Sequence, residues 1–334
     1  MQQPSQPNRI FFGDDGLRAG WSLAIFLAPF TALYLLFWLA RHNHLVPDNP
    51  PSAAITLTPA LTIFGEGLPL LFIAFAALVM SLIEHRPFTR YGLTLRRLLP
   101  DFAAGLFWGV LALSLLIALL WITHAISFDG VALRTGPALT YAAEWAFAFL
   151  LVGLFEEFCF RGYLQFTLAR GISGIVRALS PSNPHSHAIG FWTSAFLLSG
   201  CIFAYTHTSN GGETILGILA VACAGAVFVF SLWRTGSLWW AIGFHSAWDW
   251  AQSFLYGTPD SGGLIQGHLL ATHPVGSKLL SGGSDGPEGS VLVFPVLLLV
   301  ALTIHITLPR RDYLLTPDQS PPEQRTPPHP QSTA

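Results

Sequence analysis

Eight stretches of this chain, near residues 20–40, 57–83, 102–127, 139–168, 189–207, 214–233, 237–256 and 290–308, are apolar over about the length a helix needs to cross ~30 Å of hydrocarbon. Charged residues make up only 10% of the 334 and hydrophobic residues 52%, whereas a soluble domain carries roughly a quarter charged residues on its surface. So little charge cannot clothe a water-soluble fold of this size. Barrel strands would alternate polar and apolar residues over about ten positions, and these runs are continuous instead. The expectation is therefore an all-α fold, a polytopic membrane helical bundle of about eight transmembrane helices.

The runs recur along nearly the whole length, so one membrane domain at 20–308 is expected. A cytoplasmic N-terminal segment at 1–19 precedes it, and a Pro-rich, disordered C-terminal tail at 309–334 follows. The first twenty residues carry Arg9, Asp14, Asp15 and Arg18 and no apolar core, which does not read as a cleavable signal. With eight spans, both termini share one side. Twelve Lys/Arg residues then fall on that side, three (Arg41, Arg134 and Lys278) on the other, and Arg161 within a helix, which accounts for all 16. That asymmetry places the N- and C-termini in the cytoplasm.

A net charge of −2 with no dense basic stripe excludes a nucleic-acid partner and leaves membrane lipid as the environment. Three cysteines, all within apolar runs, do not make a disulfide framework. The Gly/Ser-rich segment 257–289 reads either as a cover for the outer face of a site or as slack.

Ionisable groups cost at least ~2.5 kcal/mol each at the centre of an inserting helix, so a concentration of them marks function. The fourth run holds Glu156, Glu157 and Arg161. Glu157 and Arg161 are four apart, where a helical carboxylate and cation meet on one face, and are expected to form a fixed ion pair. Glu156 then points about 100° away and is free to act as a general base. The fifth run ends with His207, four residues after Phe203, and the seventh holds His245 and Asp249, again at i and i+4. A carboxylate with an imidazole can activate water, and further donors can stabilise an oxyanion, so the set points to hydrolysis. Glu66, between two glycines in the second run, is a further acid that either lines the cavity or pairs with another buried group. Cys159 has no histidine at helical spacing and reads as a small hydrophobe.

In order, these residues spell Glu156-Glu157-x-x-x-Arg161, Phe203-x-x-x-His207 and His245-x-x-x-Asp249. The ordered set resembles the CPBP (CAAX protease and bacteriocin-processing, or Abi) family of intramembrane endopeptidases, which includes the type II CAAX prenyl endopeptidases. The resemblance covers a motif core at about 144–252. It implies that Glu156 with His207 activates water, that His245 and Asp249 sit at the oxyanion, and that Glu157 and Arg161 support the site. The CAAX enzymes usually have Asn where Asp249 stands. Family members are often described as metalloproteases, and Glu156, His207, His245 and Asp249 offer the O and N donors that a divalent metal such as zinc accepts. The absence of HExxH favours metal-free Glu/His activation. The implied substrate is a peptide or lipidated protein at the membrane, prenylated or leader-type. The rival class is a non-enzymatic membrane protein, a proton-coupled transporter or a bacteriocin-immunity factor using the same buried cluster. No internal repeat supports the transporter.

One geometric demand follows. Glu156 lies about 25 Å along the fourth helix at 1.5 Å per residue, while His207 lies at the far end of the antiparallel fifth. A long fourth helix and a polar cavity are expected.

Overall fold

Each apolar run folds as a helix, because in hydrocarbon a backbone must satisfy its own polar groups. The structure, a computed structural model, describes residues 8, 10–13, 16–43, 56–210 and 212–309. The tail from 310 and most of the expected N-terminal segment lie outside these residues.

The helices are α1 (Ala19–His42), α2 (Pro59–Ile83), α3 (Leu98–Ile122), α4 (Thr135–Glu157), α5 (Leu164–Leu179), α6 (Ser186–Ala195), α7 (Ala204–His207), α8 (Ile215–Thr235), α9 (Trp239–Asp249), α10 (Lys278–Ser281) and α11 (Val293–Thr307). Three π-helical turns join or extend them: Phe158–Tyr163 links α4 to α5, Phe196–Phe203 links α6 to α7, and Trp250–Leu255 prolongs α9. The long fourth helix expected from the sequence is therefore present. Thr135–Leu179 runs for 45 residues and bends at Gly162, where ψ is −111°.

Local signals set several ends. The Thr58 side chain accepts from Leu61 N–H to cap α2, and Thr214 accepts from Gly217 N–H at 3.0 Å to cap α8. Gly236, at φ 67°, ends α8 in the left-handed conformation that glycine adopts without strain.

Among the described residues, six helical stretches are individually long and apolar enough to cross a membrane. The expected seventh and eighth spans are shorter. The run near 237–256 is interrupted by polar residues and divided between α9 and its π turn. The run near 290–308 spends its first residues on the turn before α11, which leaves 15 residues.

At the centre stands α9, with Trp240, Ala241, Ile242 and Phe244 at most 1% exposed. It lies backbone to backbone against α3. A Cβ at Gly105 or Gly109 would strike the carbonyl of Trp240 or Phe244, and one at Gly243 would strike that of Phe102. Against α4 the approach is at Gly153, where a Cβ would lie 2.5 Å from the Ser246 hydroxyl oxygen. At one end of the bundle, Arg170 donates to Glu84 at 2.9 Å and to Ser22 at 3.0 Å, tying α5 to α1 and to the end of α2. A short hairpin of β1 (Phe12–Gly13) and β2 (Gly16–Leu17) precedes α1.

At the other end, β3 (Thr56–Leu57) pairs in parallel with β5 (Leu264–Ile265), and β4 (Ile126–Val131) pairs antiparallel with β6 (Leu270–Pro274). Trp145 donates its indole N–H to the Gln266 carbonyl at 3.0 Å. The segment after α9 is thus a bonded cap.

Candidate active site

The geometry of the site begins with the two acids that end α4. They diverge as helical spacing requires. Glu157 is fully buried, while Glu156 keeps 20% of its side chain exposed. Glu157 Oε1 accepts from Arg161 Nη1 at 2.7 Å, the ion pair expected from the i, i+4 spacing. The same oxygen also faces His245 Nδ1 at 3.0 Å. Because a carboxylate only accepts, Nδ1 carries the hydrogen and donates.

Glu157 therefore does more than hold Arg161. It fixes the imidazole of α9 from a position 88 residues earlier in the chain. His245 Nε2 is turned toward Glu156 Oε2, at 3.6 Å, and toward Asp249 Oδ2, at 3.5 Å. Both separations exceed a hydrogen bond, so Nε2 keeps its bonding capacity for a ligand. The i, i+4 spacing of His245 and Asp249 brings the carboxylate near the ring but not to the nitrogen that is held. In the structure Glu157 takes that place, and Asp249 faces the opposite ring nitrogen.

Arg161 is 2% exposed and donates from Nε to the Ser199 hydroxyl at 3.1 Å. Its guanidinium lies over the Phe203 ring, 4.3 Å from the centroid. This explains the phenylalanine of the second motif: it meets Arg161 on one side and His207 on the other, with the Phe203 and His207 ring centroids 4.6 Å apart. His207 Nδ1 donates to the Phe203 carbonyl at 2.9 Å, leaving Nε2 available.

The structure thus gathers Glu156, Glu157, Arg161, His245 and Asp249 directly, and sets His207 one phenylalanine ring away from Arg161. Glu66 is half-buried on α2, within electrostatic reach of Glu156 and His245. Cys159 is partly buried, as a small hydrophobe would be. Each motif adjoins a π-helical turn: Glu157 precedes one, His207 follows one within a turn, and Asp249 precedes the third. Such turns insert one extra residue and re-aim side chains, and they recur at functional sites.

Among the described residues, no group of three or more His, Cys, Asp and Glu is arranged to hold a metal ion. The four-residue donor set drawn from the sequence is not among such groups. No step of the chemistry below passes through a metal.

The cap brings residues that the sequence reading did not single out, in a segment read there either as a cover or as slack. Asp285 is fully buried and accepts from Thr214 N–H at 3.1 Å and from its hydroxyl at 2.7 Å, at the start of α8. Asp260 accepts from the Ser253 hydroxyl at 3.1 Å and lies within electrostatic reach of His245 and Glu156. Glu288 accepts from Ser261 N–H. Burial pushes Glu213 up to about 7, with the neighbouring Asp285 carboxylate adding to it. Burial likewise pushes Asp260 up to about 6 and raises Asp285 and Glu288. A signal for Asp260 existed in the sequence: Ser253 continues the His245, Asp249 spacing by four more residues.

With that geometry in hand, residues 137–251 match the family described as Type II CAAX prenyl endopeptidase Rce1-like. The match runs from the first turn of α4 to just past Asp249 and contains all three motifs, so the resemblance read from them is borne out over this segment. No curated protein and no solved structure matches the chain.

Proposed function

We propose, from an Rce1-like segment at residues 137–251, that this chain is an intramembrane endopeptidase whose water is activated by Glu156 and His207, with His245 and Asp249 at the oxyanion. The observation that carries the proposal is the convergence of Glu156 and Glu157 from α4 with His245 and Asp249 from α9, all within 3.6 Å of one imidazole. Two helices do not bring three carboxylates to one histidine in an apolar bundle without a chemical use for them.

In this reading Glu156, the most exposed acid of the group, takes a proton from water as the water oxygen bonds to the scissile carbonyl carbon. His207 Nε2, free on its side of Phe203, accepts a hydrogen bond from that water. His245, carrying hydrogens on both ring nitrogens, donates from Nε2, and Asp249, in its protonated form, donates from its carboxyl O–H, to the oxygen on which negative charge develops. Glu157 holds the imidazole so that this face does not turn away. When the C–N bond breaks, the proton on Glu156 passes to the amine nitrogen, and the products are a carboxylate and an amine. Preorganised donors aimed at the developing charge act most strongly where water is excluded, and a site between α4 and α9 meets that condition.

The chain is read as a multi-pass membrane protein with its N- and C-termini in the cytoplasm. The Lys/Arg asymmetry supports this, as does the alternation of helices that gathers 123–134, 208–214 and 256–292 at one end. Membrane lipid is its surroundings, and its substrates are peptides or lipidated proteins held at the bilayer. Protein in lipid nanodiscs, presented with membrane-anchored peptides, should cut them. Glu156→Gln and His245→Ala should abolish cleavage without loss of the folded state, and unchanged cleavage in either would reject the assignment.

A further inference from the structure

None of the three motifs lies on α8, yet two of its positions touch the site. At Gly225 a Cβ would lie 2.8 Å from Arg161 Nη2, so a larger residue would require the guanidinium to move from its place. Three residues later, on the same helical face, the ring of Phe228 is 5% exposed and lies between two groups of the site. The Arg161 guanidinium carbon is 5.5 Å from its centroid. The His245 ring is 5.4 Å away, centroid to centroid, with the planes 26° apart.

With Phe203 on the other side of Arg161, five groups form a column: His207, Phe203, Arg161, Phe228, His245. Phenylalanine rings alternate with cationic or imidazole groups along it, edge-on between Phe203 and His207 at 67° and stacked between Phe228 and His245 at 26°, both arrangements that ring quadrupoles favour. Among the described residues, Arg161 Nη2 has no hydrogen-bond acceptor. What it has instead is the two ring faces.

A single hydrogen bond, from Nδ1 to Glu157, fixes where His245 is but not the plane of its ring. A flat face against that ring supplies the missing constraint. We propose that Phe228 is a positioning residue of the site, the ring that keeps the His245 imidazole and the Arg161 guanidinium in register, so that α8 contributes a fourth functional element beside the three motifs. The kinetic consequence rests on the endopeptidase reading given above. The structural one does not.

The test uses the full chain in nanodiscs with isotopically labelled histidine. Phe228→Met keeps most of the volume but removes the ring, Phe228→Tyr keeps the ring, and Phe149→Met removes a buried ring stacked on Trp145 away from the column. In Phe228→Met the carbon-bound protons of the His245 ring should lose their ring-current shift, and kcat should fall about tenfold with KM nearly unchanged. Phe228→Tyr should keep both the shift and kcat, and Phe149→Met should leave the His245 signal in place. An unmoved His245 signal in Phe228→Met overturns the proposal. So does a kcat loss in Phe149→Met or Phe228→Tyr as large as in Phe228→Met. Should the wild type cut no peptide, the endopeptidase reading falls and the spectroscopic result alone decides the role of Phe228.

Discussion

Glu157→Gln keeps the shape of the side chain and removes only its charge. Arg161 would then remain 2% exposed with no counterion, its neighbours being the Ser199 hydroxyl and two aromatic rings. Breaking a buried pair by neutralising one partner costs about 3–5 kcal/mol. The amide oxygen of Gln can still accept from Arg161 Nη1, so the lower figure, about 3 kcal/mol, is expected here. At roughly 2 °C per kcal/mol for a chain of this size, the transition should fall by about 6 °C. The assay is reversible unfolding in mixed micelles followed by tryptophan fluorescence, for which the 11 tryptophans give ample signal. Adding Arg161→Met removes the stranded cation, so the double variant should be more stable than the two single losses added together, by about 1–3 kcal/mol of coupling. A single variant within about 0.5 kcal/mol of wild type, or strict additivity in the double, would refute the claim that Glu157 and Arg161 form one buried unit.

Other outcomes follow from the same contacts. Gly225→Ala should destabilise the bundle by about 1–3 kcal/mol through overpacking against Arg161 and Ser199, read by the same unfolding assay. Thr214→Val removes the cap of α8 and a donor to Asp285, and should cost about 1 kcal/mol and speed hydrogen exchange at 282–290. The cap should also respond to pH. Glu213, Asp260, Asp285 and Glu288 bind protons more tightly in the packed cap than when exposed, so the cap gains stability at acid pH. That gain is lost as pH rises through the window from about 4 to about 7 set by Asp260 and Glu213. Exchange at 257–290, corrected for its intrinsic rate, should therefore be faster at pH 8 than at pH 5, and equal or slower exchange would contradict it.

The parts of this molecule that follow from local rules were legible in the sequence. The helices lie where hydropathy put them because backbone satisfaction in hydrocarbon leaves no other choice. The Glu157–Arg161 contact was read from a spacing of four, and it closes at 2.7 Å. What depends on distant residues was not legible. Nothing near Glu157 announces that its partner is His245, because that bond is made by the crossing of α4 and α9. Phe228 reads as one more core aromatic until Arg161 and His245 are seen on its two sides. The choice between cover and slack for the segment 257–289 stayed open because glycine and serine carry little apolar signal. Its order comes from backbone pairing with β3 and β4 and from buried carboxylates that cap other segments. The lengths of the last two runs were less legible for a related reason: an apolar run can be long enough to cross and still give part of its length to a turn.

Hydrolysis in heavy-oxygen water is the most direct test. Wild-type protein and Glu156→Gln, both shown to be folded in nanodiscs, would be given the same membrane-anchored peptides, and the products weighed by mass spectrometry. The wild type should yield a new C-terminal carboxylate carrying one heavy oxygen, and Glu156→Gln should yield none. Equal incorporation by the two proteins would mean that Glu156 does not activate the water.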